Sequence, residues 1–146
     1  MFKSILVAYD NSEPSRRALE RAAQLAEAFG STVLVTTIAP LVHSLPGVPA
    51  TPESERPRIA TAEDVDRATA TLVERGISAE TVEATGDPAT SIAALAERRG
   101  VDVVVIGSRG LGPIQRLLGQ SVSQAVSRRV RCDVLIVNPG PVPGGA

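Results

Sequence analysis

The sequence predicts a doubly wound α/β domain, a five-stranded parallel sheet of order 3-2-1-4-5 with helices on both faces, and three observations predict it. Apolar runs alternate with amphipathic stretches along the chain, the sign of repeated strand–helix units. Two of the runs read as buried strands, Ile5-Leu-Val-Ala8, continuously apolar as a strand covered on both faces must be, and Val101-Asp-Val-Val-Val-Ile106. Helix boundaries are also punctuated: proline follows a capping residue at Ser12/Pro14 and Asp87/Pro88, and Gly30, Gly76 and Gly100 close the helical stretches.

Strand one is expected from Ser4 to Tyr9. Asp10-Asn-Ser12 then turns the chain, with Ser12 as N-cap and Pro14 in the first helical turn, where its missing N–H costs nothing. The first helix carries Ala18, Leu19, Ala22, Ala23, Ala26 and Phe29 on one stripe facing the core, and Gly30 ends it. Strand two is Thr32 to Ile38. A Pro-, Ser- and Glu-rich loop from Ala39 to about Pro57 has no periodicity and is expected to be mobile or to fold over the sheet edge. A second helix from about Thr61 to Arg75 presents Val65, Ala68 and Leu72. Strand three, Ser78 to Ala84, alternates polar and apolar residues as an edge strand with one wet face does. Asp87 caps a third helix that buries Ile92, Leu95 and Ala96. Strand four is Val101 to Ile106, a last helix runs from about Pro113 to Arg129 with Leu117, Leu118, Val122 and Val126 toward the core, and strand five is Asp133 to Val137. The domain is expected over 1–138, and the Pro/Gly-rich tail 139–146 cannot extend a sheet.

Composition excludes several function classes. With 146 residues the chain suits one domain, long enough to bury roughly 70% of its unfolded surface. Aromatics are limited to Phe2, Tyr9 and Phe29 and the net charge is −1, so stacking platforms and a basic patch for nucleic acid are both missing. The first segment reaches Asp10 too soon for a signal peptide, and no apolar run approaches a membrane span. A cytoplasmic protein with no membrane partner is therefore expected. Cys132 is the sole cysteine, read as a small apolar filler at the start of a buried strand, and His43 the sole histidine; neither disulfide nor metal cluster is expected. Lys3 is the only lysine among 15 basic residues. A Walker-type phosphate loop and Schiff-base chemistry both need a lysine elsewhere, so neither is available.

The segment Gly107-Ser-Arg-Gly-Leu-Gly112, directly after strand four, and Gly119-Gln-Ser-Val-Ser123 beyond it carry the chemistry. Glycines at a strand end let backbone N–H groups approach an anion, and the helix that follows adds its dipole and the Ser121 and Ser123 hydroxyls. The plainer reading is a tight turn with Ser108 and Arg109 as unspecific donors. Arg109 and Arg116 either neutralise phosphate or are simply solvated, and Arg128, Arg129 and Arg131 suit a helix C-terminus. With strands one and four adjacent, Asp10 faces the glycine segment across one crevice. Aspartyl phosphorylation at Asp10 would need a lysine after the last strand and further acids near the first, and the chain has neither.

Taken in order, Ile5-Leu-Val-Ala-Tyr-Asp-Asn-Ser-Glu-Pro-Ser15, Gly86-Asp-Pro88, Val104-Val-Ile-Gly-Ser-Arg-Gly-Leu-Gly112, Leu117-Leu-Gly-Gln-Ser-Val-Ser123 and Cys132-Asp-Val-Leu-Ile-Val137 closely resemble the universal stress protein family over Lys3 to Val137. The resemblance implies a flavodoxin-like, Rossmann-like fold, a role in the stress response and binding of ATP or AMP, any Mg2+ arriving with the nucleotide. It also implies a homodimer through strand five. Carried over by position, Ala8, Tyr9 and Asp10 border the adenosine, and Thr37 flanks the adenine. Ile106, Gly107, Arg109 and Gly110 open the phosphate loop, and Gly119, Gln120, Ser121, Val122 and Ser123 close it. Tyr9 stands where the family often has a smaller residue, and it either stacks on adenine or crowds the site.

The family's spacing is Gly, two residues, Gly, nine residues, then Gly followed by Ser or Thr. Here only eight residues separate Gly110 from Gly119, and Gln120 precedes Ser121. Either Gln120 occupies the glycine position, or the loop is one residue short and Gln120 replaces the hydroxyl residue. A glutamine where φ > 0 or close phosphate approach is needed costs about 1 to 3 kcal/mol, which weakens binding about fivefold to a hundredfold. Two readings follow: a cytosolic stress-associated regulator that binds an adenine nucleotide between strands one and four, or a dimeric interaction module in which that binding is weakened or lost. No nucleophile or base is placed for fast turnover, so enzymatic activity is expected to be absent or limited to slow, incidental ATP hydrolysis.

Overall fold

The computed structural model describes residues 2–39, 62–108 and 122–138. Nine elements follow one another: β1 (Ser4–Ala8), α1 (Glu13–Phe29), β2 (Thr32–Ala39), α2 (Ala62–Glu74), β3 (Ala79–Thr85), α3 (Pro88–Arg99), β4 (Val103–Gly107), α4 (Val122–Arg129) and β5 (Asp133–Val137). The strands form one sheet of order β3-β2-β1-β4-β5, every pairing parallel. This is the predicted architecture.

Strand periodicity divides the core in two. Ile5, Val7, Val33, Val35, Val103 and Val105 point to the face covered by α1 and α2, where Ala18, Ala22, Val65 and Leu72 meet them. Leu6, Ala8, Leu34, Val104 and Ile106 point to the other face, against Ile92, Leu95, Val122 and Val126 of α3 and α4. Each fully buried Val, Leu or Ile side chain contributes about 1.5 to 3 kcal/mol, so the central strands β1 and β4, apolar on both faces, anchor the domain. Right-handed crossovers that place α1 and α2 on one face and α3 and α4 on the other require the winding to reverse between β1 and β4.

Local signals set the helix ends. Ser12 is extended at φ −76° and its hydroxyl accepts from the Ser15 amide, while Asp87 accepts from the Thr90 amide at the start of α3. Gly30 at φ 67° and Gly100 at φ 63° take the left-handed conformation that stops α1 and α3. Arg75, at the end of α2, joins Glu20 at 2.8 Å and also Glu27, tying α2 to α1 across the surface.

Three expectations need correction. Phe29 keeps the phase of the α1 stripe but, as the last residue of the helix, is 43% exposed, its ring edge-on to Phe2 at 5.8 Å. Strand four begins at Val103, two residues late. Asp102 is drawn instead toward the neighbouring strand, where its carboxylate accepts from the Lys3 and Ser4 amides at 2.8 and 3.0 Å and its own N–H donates to Ser4 O. Those two amides hold the Asp102 carboxyl below its usual range, the Ser4 bond having the larger effect. Third, Cys132 does not start a buried strand: β5 is outermost, only Val137 is buried along it, and Leu135 and Ile136 are exposed. Cys132 itself is half-buried against the α3 face of the core, where burial pushes its thiol up.

The loop after Ala39 up to Thr61, the tail beyond Asn138 and the first part of the predicted last helix lie outside the described residues. Among the described residues no helix is long and apolar enough to cross a membrane.

Candidate functional site

The β1–α1 turn is built from one tyrosine, one left-handed residue and two serines. Asn11 has φ 63°, the only positive φ among the described non-glycine residues, and asparagine is one of the few side chains that tolerates it. This reversal folds the chain so that Asp10 Oδ1 accepts from the Ser12 amide at 2.9 Å and from the Ser12 hydroxyl. The Asp10 amide donates to Ser15 Oγ at 3.2 Å, and Ser15 Oγ donates to Ser12 O at 2.9 Å. Asp10 Oδ2 has no hydrogen bond among the described residues, so half of the carboxylate remains available to a ligand. Tyr9, left between stacking and crowding by the sequence, is 6% exposed with its ring in the core on the α1/α2 face. Its hydroxyl donates to Asn11 Oδ1 at 3.0 Å, and burial, only partly offset by Arg16, raises its pKa and keeps it protonated.

The neighbouring strand ends beside this turn. Val7 of β1 pairs with Val105 of β4; three residues further along each chain come Asp10 and Ser108. Ile106 is buried in the α3/α4-side core, while Gly107 turns to the opposite face against α1. A Cβ at Gly107 would lie 2.7 Å from Pro14 Cβ, 2.8 Å from Pro14 O and 2.9 Å from Pro14 C. Gly107 is thus required by contact with the first turn of α1, a reason the sequence reading did not contain. Ser108 donates its N–H to Val137 O at 2.9 Å, and its buried hydroxyl oxygen has no hydrogen-bond partner among the described residues. Sequence reasoning set Ser108 aside as an unspecific donor; its position in a glycine-rich turn carried no sign of its burial.

Of the other predicted residues, Ala8 is buried at the end of β1 and Thr37 is half-buried in β2, one residue past the Ala8–Thr36 pair. Val122 and Ser123 are both buried in the first turn of α4, Val122 within the α3-side core. Arg109, Gly110, Gly119, Gln120 and Ser121 lie outside the described residues. The structure therefore brings together Tyr9, Asp10, Ile106 and Gly107 at the ends of adjacent strands, with Thr37 on the far side of β1.

A separate cleft of about 400 Å³, lined in part by Glu97, Arg129, Arg131 and Cys132, lies at the amino ends of β4 and β5. It contains none of the predicted residues and sits at the end of the sheet away from Asp10. Parallel sheets of this kind bind ligands beyond their carboxyl ends. Among the described residues no group of three or more His, Cys, Asp or Glu side chains is arranged to hold a metal.

The chain is similar to known proteins in sequence and in fold. A universal stress protein of Bacillus subtilis strain 168, YxiE, is 34% identical over 152 residues, covering 94% of this chain and 99% of its own. A universal stress protein of Thermus aquaticus is 36% identical over 137 residues, with 94% and 99% covered. A crystal structure of a universal stress protein in complex with cAMP superposes with a TM-score of 0.69 at 26% identity, covering 93% of this chain and 97% of that one. The sequence model of the universal stress protein family matches residues 1–138, and on this match and these relatives the chain belongs to the universal stress protein family.

Proposed function

We propose that this protein is a stress-associated regulator that binds an adenine nucleotide, ATP, AMP or a cyclic form, over the carboxyl ends of β1 and β4. The observation that carries the reading is the reversal of winding between these two strands, which sets Asp10 and the Gly107–Ser108 strand end side by side. The residues fit such a ligand. The Asp10 oxygen that has no hydrogen bond among the described residues suits a ribose hydroxyl. The similarity to a universal stress protein crystallised with cAMP supports the same ligand class. Arg109, Gly110, Gly119, Gln120, Ser121 and Ser123 complete the proposed phosphate cradle, and any Mg2+ enters with the nucleotide. The proposed role is binding rather than turnover: the Ser12 and Ser15 hydroxyls beside Asp10 are engaged in the turn itself, Ser12 on the Asp10 carboxylate and Ser15 on Ser12 O.

Isothermal titration after removal of co-purified nucleotide tests the reading. Saturable heat with ATP, AMP or cAMP supports it, and no heat with any of them at millimolar concentration sinks it. A Gln120→Gly variant with tighter binding identifies Gln120 as the penalty in the loop.

A second reading, an interaction module that dimerises through β5, is favoured by a specific observation. Leu135 and Ile136 are 37% and 36% exposed on an outermost strand whose free edge offers unpaired backbone groups.

A further inference from the structure

Tyr9 is a costly residue to place at the end of a central strand unless its hydroxyl is used. The ring sits in the core on the α1/α2 face, and the hydroxyl reaches the rim, where it donates to Asn11 Oδ1 at 3.0 Å. Asn11 is in turn the described non-glycine residue with a left-handed backbone. Asparagine tolerates the left-handed conformation at a cost of about 1 to 2 kcal/mol, a gap small enough for a side-chain tether from a rigid core residue to offset. The left-handed form is the one that lets Asp10 Oδ1 collect the Ser12 amide and hydroxyl. From the other side, the close approach of Gly107 to Pro14 prevents the start of α1 from sliding. The turn that presents Asp10 is therefore clamped at two points, one by backbone contact and one by the Tyr9 hydroxyl.

We propose that Tyr9 is a positioning residue, which through its hydrogen bond to Asn11 holds the β1–α1 turn in the conformation that aims the Asp10 carboxylate. Its contribution to binding rests on the nucleotide reading above; its contribution to the turn does not. Tyr9 acts from beneath the site, through its hydroxyl, and neither stacks on a base nor occludes one.

The test uses the intact protein and three variants: Tyr9→Phe, which keeps the buried ring; Asn11→Gly, which adopts φ > 0 without a side-chain tether; and the double variant. Amide hydrogen exchange at Ser12 and Ser15 is measured without ligand, and affinity for cAMP, AMP and ATP by titration. Tyr9→Phe is expected to speed exchange at Ser12 and to weaken binding about threefold to tenfold, the range for one neutral hydrogen bond. In the Asn11→Gly background the same Tyr9→Phe change is expected to alter affinity less than about twofold, because the tether is already gone. A purely structural role for the hydroxyl would instead give equal effects in both backgrounds, and that result overturns the proposal. Unchanged Ser12 exchange in Tyr9→Phe also overturns it. If the wild type binds no nucleotide, the functional reading fails, and the exchange data alone decide whether Tyr9 sets the turn.

Discussion

Replacing Gly107 by alanine puts a methyl carbon where three atoms of Pro14 already stand, at 2.7, 2.8 and 2.9 Å. Non-bonded carbons rest at about 3.5 to 4.0 Å, so the closest contact is about 0.8 Å too short. Two of the three atoms, the Pro14 carbonyl carbon and oxygen, are backbone, and a rotamer change cannot move them. Relief requires the first turn of α1 to withdraw from the end of β4, and overpacking of this kind costs about 1 to 3 kcal/mol. At about 3 to 4 °C per kcal/mol for a domain of this size, Gly107→Ala should lower Tm by roughly 3 to 12 °C. The same withdrawal carries Asp10 away from the strand end, so nucleotide affinity should fall more steeply than stability alone explains. Differential scanning calorimetry and titration on the same samples measure both. Gly30→Ala is the control: φ is 67° but nothing lies within 4 Å of an added Cβ, so it should lose stability through backbone strain and leave affinity unchanged. A Gly107→Ala protein that melts with the wild type refutes the reasoning, and so does full rescue by Pro14→Gly, which removes only the Cβ contact.

Three further outcomes are expected. The carboxyls of Asp87 and Asp102 lie below the ordinary 3.8, Asp87 through the Thr90 amide and then its hydroxyl, Asp102 through the Ser4 and then the Lys3 amide. Because their native values are depressed, the stability they contribute is fully present above about pH 4 and is lost as pH falls through those lowered values; thermal melts of Asp102→Asn between pH 2.5 and 7 should show a shallower acid loss than the wild type. Ser108→Ala removes a buried hydroxyl that has no hydrogen-bond partner among the described residues, so Tm of the free protein should hold or rise while nucleotide affinity falls about threefold to tenfold; calorimetry and titration check the opposite signs. Leu135→Lys and Ile136→Lys, on the exposed part of β5, should shift a dimer to monomer by light scattering with little effect on the fold, and a wild type that is already monomeric at micromolar concentration counts against β5 as an interface.

Features encoded within a few residues were legible before any coordinates. The Ser12 and Asp87 caps, the glycine stops at Gly30 and Gly100 and the alternation that sorts Ile5 and Val7 from Leu6 and Ala8 depend on local hydrogen bonds and on the period of a strand. Errors arose where a distant segment intervened. Helical spacing assigns Phe29 to the core stripe but carries no information about how exposed the last residue of the helix is. An apolar run places Val101 in strand four but does not show that Asp102 will satisfy amides near the N-terminus. Within the candidate site, Asp10 and Gly107 were legible because a doubly wound sheet places its strand ends together, whereas the burial of Ser108 and the direction of the Tyr9 ring were not.

The sequence alone determined the order and type of the described elements and the family to which the chain belongs. These follow from residue identity and short-range periodicity, which survive without knowledge of packing. Only the tertiary structure decided that Gly107 is needed against Pro14 and that Tyr9 points into the α1/α2 core with its hydroxyl on Asn11. Those are contacts fixed by the way helices close over a twisted sheet. A glycine at a strand end has the same letters whether a ligand or a helix fills the space beside it, and only the position of α1 distinguishes the two.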